Sequence, residues 1–225
     1  MKRYIYINVL STLIMDDLFK VKKPAVAVDV VLFSIKNNCL MICLTKREED
    51  PYFGKCALPG RFVRYDEKIE DTAKNALKLK AGIDPEKVFL EQLYTFGQNL
   101  KRDTRIRTIT IVYYGLVRAS DIENSKLEWH SVYDLPSIAF DHKDIIEYSI
   151  TRLRSKITES DFAFQLMPKE FTLTELQKAY EIILNKDLDK RNFRKKLFEL
   201  NILKDINKIK SDGAHRPAKL YSFKR

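Results

Sequence analysis

Two apolar runs open the patterned part of the chain. Residues 24–35 (PAVAVDVVLFSI) and 39–46 (CLMICLTK) are rich in β-branched and aliphatic side chains, and the KNN between them predicts a strand pair closed by a tight turn. A helix follows, with Asp66 as its expected N-cap, Ile69, Ala73, Ala76, Leu77 and the stem of Lys80 on or near one face, and Gly82 closing it. The run RIRTITIVYYGLV, residues 105–117, carries the strongest strand signal, β-branched and aromatic throughout. KLEWH predicts another strand and HKDIIEYSITRLRSKI a closing helix. Strands mixed with two helices as far as about residue 157 describe an α+β, sandwich-like domain.

The last seventy residues change character. FTLTEL holds a helix start in which Thr172 and Glu175 form a capping box and Phe171 staples onto Leu176. Leu173, Leu176, Tyr180 and Ile183 then recur at helical spacing. After a short NKDL break a basic helix, DKRNFRKKLFELN, buries Phe193, Leu197 and Leu200 and turns Arg191, Arg194 and Lys195 elsewhere; Phe198 is also expected in the core. INKIK and AKLYSF predict a two-stranded ribbon around a turn at SDGAHRP. Helix, short turn, basic helix and hairpin together spell a winged helix-turn-helix.

Composition sharpens this picture in two ways. At 45% hydrophobic and 32% charged residues, with no low-complexity stretch, the 225-residue chain is that of a folded globular protein, which excludes disorder. Its net charge of +10 is unevenly placed: Lys186 to Arg225 hold thirteen Lys and Arg against five Asp and Glu, whereas the preceding 185 residues hold 28 against 26. A positive field at the C-terminal end favours an acidic partner, nucleic acid above all. Cys39, Cys43 and Cys56 are odd in number and read as small buried hydrophobes of a reducing cytoplasm rather than as a disulfide framework. Neither they nor His130 and His142 have companions at metal-ligand spacing in the sequence, so no metal and no cofactor is expected; His142 is expected to cap or pack. The N-terminal MKRYIYINVLSTLIM imitates a signal peptide but lacks a small-residue cleavage site and is too short to span a bilayer. It is expected to pack on the body, or to mark a start that truly falls at Met15.

The segment PGRFVRYDEKIEDTAKNALKLKAGI, residues 59–83, resembles a Nudix box, whose pattern runs glycine, five residues, Glu, seven residues, then Arg-Glu-aliphatic-x-Glu-Glu-x-Gly-aliphatic. Arg61 takes the opening glycine's place, Glu67 matches the first Glu, and Gly82 and Ile83 match the end. Asn75 stands where Arg belongs, Ala76 at the next Glu, and Leu79 and Lys80 at the paired glutamates. In working members those carboxylates hold Mg²⁺ against a pyrophosphate, so the resemblance implies a fold kept and a hydrolysis lost. Lys80 also opposes a cation, since like charges about 4 Å apart cost on the order of 1 to 4 kcal/mol. Glu67, Glu70 and Asp71 remain as an acidic patch that a divergent pyrophosphohydrolase would have to use.

With the stretches TFGQNLKRDTRIRTITIVYYGLV, LPSIAFDHKDIIEYSITRLRSKI and HRPAKLYSF, the whole of residues 24–223 is similar to the Nudix-related transcriptional regulators. That resemblance implies a Nudix-like mixed-sheet sandwich at 24–157, after a 23-residue extension, and a winged helix-turn-helix at 158–225. It implies a repressor that senses ADP-ribose or a pentose such as arabinose or xylose; likeness of the C-terminal half to pentose-responsive members tilts the expectation towards a sugar and carbohydrate metabolism. The implied effector residues are Arg47, Arg61, Phe62, Arg64 and Glu67, with Arg105 and Arg107 from the strong strand. Arginines suit a phosphate, whereas a neutral sugar wants carboxylates, amides and an aromatic face. For DNA, Arg191 and Arg194 suit guanine or phosphate, Asn192 adenine, and Lys190, Lys195 and Lys196 phosphates, with Arg216 expected at the tip of the hairpin. One winged helix covers too little DNA for tight operator binding, so a homodimer reading palindromic half-sites is expected.

Overall fold

A computed structural model describes residues 22–122, 128–159, 161–211 and 217–224, with backbone only at 158, 159 and 161–163. The N-terminal extension up to residue 21 and Arg216, expected to contact DNA, lie outside the described residues.

Strands β1 (Ala25–Lys36) and β2 (Cys39–Lys46) form the expected hairpin. Asn37 and Asn38 both take positive φ, 53° and 56°, which matches the twist of a two-residue hairpin turn. β3 (Cys56–Ala57) and β7 (Glu128–Ser131) line the outer edge of β2, and β4 (Gly60–Phe62) pairs with β1. On its other side β1 runs parallel to β6 (Thr108–Leu116), which pairs with β5 (Phe89–Phe96) at the far edge. β1 is buried at eight consecutive positions because both faces of the sheet are covered. Val28, Val30 and Leu32 share a core with Ala73, Ala76 and Leu77 of helix α1 (Ile69–Ala81). The alternate positions, Val31 and Phe33, pack with Ile145, Ile146, Ile150 and Leu153 of helix α2 (His142–Glu159).

The second core does not stop at the end of α2. It continues through Phe164, Met167 and Phe171 into helices α3 (Leu173–Leu184) and α4 (Lys190–Glu199), where Leu176, Tyr180, Ile183, Phe193 and Leu197 are buried. A three-stranded sheet, β8 (Phe171–Thr172) with β10 (Ala218–Phe223) and β9 (Leu203–Lys210), completes the winged helix. Two arginines also tie the halves together: Arg118 Nε donates to the Met167 carbonyl at 2.6 Å, and Arg154 Nε to the Ile183 carbonyl at 2.9 Å.

The caps are mostly as the sequence has them. Thr172 Oγ1 accepts from Glu175 N at 3.2 Å and the Glu175 carboxylate accepts from Thr172 N at 2.7 Å, the reciprocal pair of a capping box. Gly82, φ 61°, ends α1 with its N–H on the Lys78 carbonyl, and Ile83 N–H reaches Leu77. Asp66 is a correction: α1 starts only at Ile69, its N-cap is Lys68 without a side-chain bond, and a turn from Arg64 to Glu67 intervenes. Ile69 is also turned outward, and Thr72 and Ala81 occupy the buried face instead. In α4, Leu200 and Phe198 are exposed rather than core.

Candidate functional site

Asp29 sits on β1 at the level of the α2 N-terminus, facing the α2 side of the sheet. Gly60 of β4 lies directly across from it; a Cβ there would come within 2.1 Å of Asp29 Oδ1, so only glycine leaves the carboxylate room. Around this point β1, β4, the loop before β6 and the turn into α2 enclose a cleft of about 270 Å³. Five cationic side chains line it, Arg47, Arg61, Lys80, Arg102 and Arg105, against the carboxylates of Asp29, Glu49 and Asp103, with Phe62, Phe140 and His142 completing the wall.

Most of these charges are already used. Arg102 is buried and makes a two-pronged pair with Asp141, at 3.0 and 2.8 Å, and reaches Asp29 at 3.4 Å; Thr110 donates to the same Asp29 oxygen at 2.8 Å. Arg105 grips Asp103 in the same two-pronged way, at 3.0 and 2.8 Å. Arg47 differs. It donates to the backbone carbonyls of Pro51, at 2.8 Å, and Glu49, at 3.1 Å, and its guanidinium lies 4.7 Å over the Phe140 ring. Lys80 makes no ion pair among the described residues. Arg47 and Lys80 therefore keep their charge for whatever enters the cleft.

His142 fixes the floor. Leu58 N–H donates to His142 Nδ1 at 3.0 Å, so the neutral ring carries its proton on Nε2, 3.7 Å from Asp29 Oδ1. Burial holds the imidazole below its ordinary pKa, against the pull of Asp29.

The box helix keeps its scaffold and not its ligands. Asn75, at the arginine's place, donates to Glu67 Oε1 at 2.7 Å, and Arg61 reaches the same oxygen at 3.3 Å. The Asn75 hydrogen bond, helped by Thr72, Arg61 and Arg64 N–H and opposed by partial burial, holds the Glu67 carboxyl below its usual range. Ala76 is buried, Leu79 is an exposed leucine, 68% accessible, and Lys80 is exposed at the lining of the cleft. Of the other acids on α1, Glu70 pairs with Lys74 at 3.0 Å, and no set of His, Cys, Asp and Glu among the described residues draws Glu67, Glu70 and Asp71 together.

Of the residues expected at the effector site, Arg47, Arg61, Phe62 and Arg105 line the cleft. Glu67 stands behind Arg61, and Arg64 is exposed outside the cleft lining. Arg107 is spent on its own backbone, donating to the carbonyls of Gly97 at 2.6 Å and Thr108 at 3.0 Å. Sequence reasoning missed Asp29, Arg102, Asp103 and Phe140; a lone Asp inside an otherwise apolar strand was the available signal for the first. His142 packs as expected, and His130 gains neighbours that chain spacing did not show. Spacing along the chain gave it no companions, and the fold sets it beside Glu128 and Cys56.

At the other end, Asp189 caps α4 by accepting from Asn192 N at 2.8 Å, and Lys190, Arg191, Asn192 and Lys195 are exposed along the helix. Arg194 is half-buried and lines, with Lys190, Thr174 and Lys219, a separate cleft of about 460 Å³ between α3, α4 and β10.

Fold and site thus define a Nudix-like sheet sandwich with a cationic cleft and altered metal positions, continued by a winged helix with a basic, capped second helix. Residues 163–223 match the model of the NrtR DNA-binding winged helix domain. Over 209 residues the chain is 36% identical to an ADPR responsive transcriptional repressor, NtrR, of Acinetobacter baylyi, covering 89% of this chain and 82% of that protein. It resembles the crystal structure of Shewanella oneidensis NrtR complexed with a 27mer DNA, with a TM-score of 0.75 at 30% identity over 88% of this chain and 93% of that one. The Nudix domain of the same Shewanella protein complexed with ADP ribose matches with a TM-score of 0.51 at 31% identity, over 59% of this chain and 90% of that domain. The chain belongs to the NrtR-like, Nudix-related transcriptional regulators.

Proposed function

We propose that this regulator is a repressor whose cleft binds ADP-ribose without cleaving it, and whose α4 enters operator DNA as one half of a homodimer. The division into a sensor at 24–157 and a DNA-binding part at 158–225 belongs to the same reading. One observation carries it: Arg47 and Lys80 are the charges of the cleft left without a carboxylate partner, the arrangement a diphosphate needs. Two of the three cleft carboxylates that a neutral pentose would hydrogen-bond, Asp29 and Asp103, are taken by Arg102 and Arg105, which weakens the tilt towards a sugar. The relatives support the same direction, since the names of two of them carry ADP-ribose. Hydrolysis is disfavoured because Ala76, Leu79 and Lys80 offer no oxygen to Mg²⁺. On the DNA side, Arg191 and Asn192 at the exposed first turn of α4 suit base edges, while Arg194, drawn into the cleft with Lys190 and Lys219, suits a phosphate.

Calorimetric titration of the full chain tests the reading. ADP-ribose is expected to bind with one site per chain and arabinose and xylose not to saturate. Arg47→Ala and Lys80→Glu are expected to weaken ADP-ribose by roughly tenfold or more, as loss of a charge-assisted contact implies. Saturable pentose binding without ADP-ribose binding, or release of AMP in Mg²⁺, would overturn it.

A further inference from the structure

β3 and β7 lie end to end along the outer edge of β2. The register sets His130 opposite Ile42, Glu128 opposite Leu44 and Cys56 opposite Lys46. Paired residues point to one face, and positions 42, 44 and 46 alternate onto the same face together. An imidazole, a carboxylate and a thiol from two strands 70 residues apart therefore rise side by side. Their ligand atoms all lie within 4.8 Å of one another, with Glu128 Oε2 and His130 Nε2 3.6 Å apart.

Two details separate this trio from a chance surface grouping. Cys56 is a free thiol and only 7% exposed. His130 Nε2 is buried and has no hydrogen-bond partner among the described residues, an arrangement that native structures keep at few positions and that calls for a partner.

We propose that Cys56, Glu128 and His130 form a site for one borderline-soft divalent cation, Zn²⁺ foremost, with a fourth position open. The donor set decides the class: thiolate and imidazole suit zinc and its neighbours, whereas Mg²⁺ and Ca²⁺ take oxygens. The spacing fits as well. Tetrahedral bonds of about 2.0 to 2.2 Å place nitrogen and oxygen ligands roughly 3.3 to 3.6 Å apart, and the Glu128 side chain, being exposed, is free to adjust to an ion. Burial and the Glu128 charge raise the Cys56 thiol, with Lys46 opposing, so the ion displaces a proton as it binds. Once bound it staples β7 to β3, two strands of four and two residues. β3 continues through Leu58, whose N–H holds His142, so the ion braces a wall of the effector cleft from outside.

Cobalt is the probe, because a thiolate ligand announces itself by a charge-transfer band in the near ultraviolet and a tetrahedral site by strong visible bands. Full-length protein stripped with chelator is expected to take up one equivalent of Co²⁺ with both signals, and Zn²⁺ to displace it. Cys56→Ser is expected to abolish the charge-transfer band and to lower Zn²⁺ affinity by roughly tenfold or more, while Cys39→Ser leaves both unchanged. A Co²⁺ titration with no saturable band, or a band that survives in Cys56→Ser, would overturn the site. Should Cys56→Ser fail to fold, the exposed Glu128→Gln carries the test: undiminished Zn²⁺ affinity sinks the proposal. None of these readings requires DNA or ADP-ribose, so their outcome is separate from that of the proposed function.

Discussion

At the scale of single residues, the cleft is organised by a histidine that stays neutral. The ring accepts from Leu58 N–H through Nδ1, so a second proton would break that bond inside a buried site. Its pKa is depressed below the ordinary 6.5. A depressed folded-state value means the unfolded chain takes up the proton first: stability is fully present above about pH 6.5 and declines as pH falls below it. Thermal unfolding of the wild type is expected to weaken from pH 7 to 5 more steeply than that of His142→Asn, which keeps an acceptor near Nδ1 and has nothing to titrate. Parallel curves for the two proteins would show that His142 titrates as freely folded as unfolded. Part of this site was legible in the sequence. Arg47, Arg61 and Phe62 stand within or just before the Nudix-like box, and a local motif carries them. Asp29, Arg102 and Asp141 were not legible, because a strand, a loop and a helix start 112 residues apart meet only through the parallel pairing of β1 with β6 and the docking of α2.

At the scale of elements, local chemistry decided most boundaries. The Asn-Asn turn, the β-branched run of β6 and the capping box of α3 each state their own conformation in a few residues. β5 was overlooked, since FLEQLYTF mixes apolar and polar positions and forms an edge strand with no fully buried residue. Asp66 misled for the reverse reason: it is a good cap residue whose neighbour Glu67 is bound to Arg61 and Asn75, which pushes the helix start past it. The capping box is the more testable device. Glu175 serves twice, accepting from Thr172 N and from Lys210 of β9, so it joins the start of α3 to the wing. Its carboxyl is held below the usual value by Lys210 and by Thr172, against desolvation, which is the largest single effect. Thr172→Ala is expected to cost about 1 kcal/mol, a fall of roughly 2 to 4 °C in Tm for a chain of this size. Hydrogen exchange should localise the loosening to the first turn of α3; an unchanged Tm would mean that Lys210 and Glu175 hold the junction without the cap.

At the scale of the whole molecule, sensing and DNA binding have to share free energy. Arg191→Ala is expected to weaken operator binding by about 1 to 3 kcal/mol, while Lys195→Ala lowers the salt slope by about one unit and leaves sequence preference intact. Anisotropy titrations across a salt series separate the two, and equal effects from both would place α4 on the backbone rather than in the groove. The link to the cleft is the harder question. An effector moves a DNA-binding equilibrium only by its unequal affinity for two arrangements, with coupling factors of roughly 5 to 150. Two routes cross the junction: the continuous apolar core from Ile145 to Leu197, and the arginines that grip backbone carbonyls of the winged-helix half. Arg154 is the better placed of the two arginines. It projects from α2, which begins at His142 directly after Asp141, the partner of Arg102, and it fills an orphan carbonyl near the end of α3 while bonding Tyr133 Oη at 3.0 Å. Rotation of α2 on ligand binding would thus be handed to α3 by a directional bond, which a slippery apolar contact cannot do. Arg154→Ala is expected to leave ADP-ribose affinity and ligand-free operator affinity nearly unchanged and to bring the ratio of operator affinities with and without ADP-ribose close to one. If that ratio persists in Arg154→Ala and falls instead when Ile150 or Leu153 is reduced to alanine, the signal passes through the packed core and the arginine is only a brace.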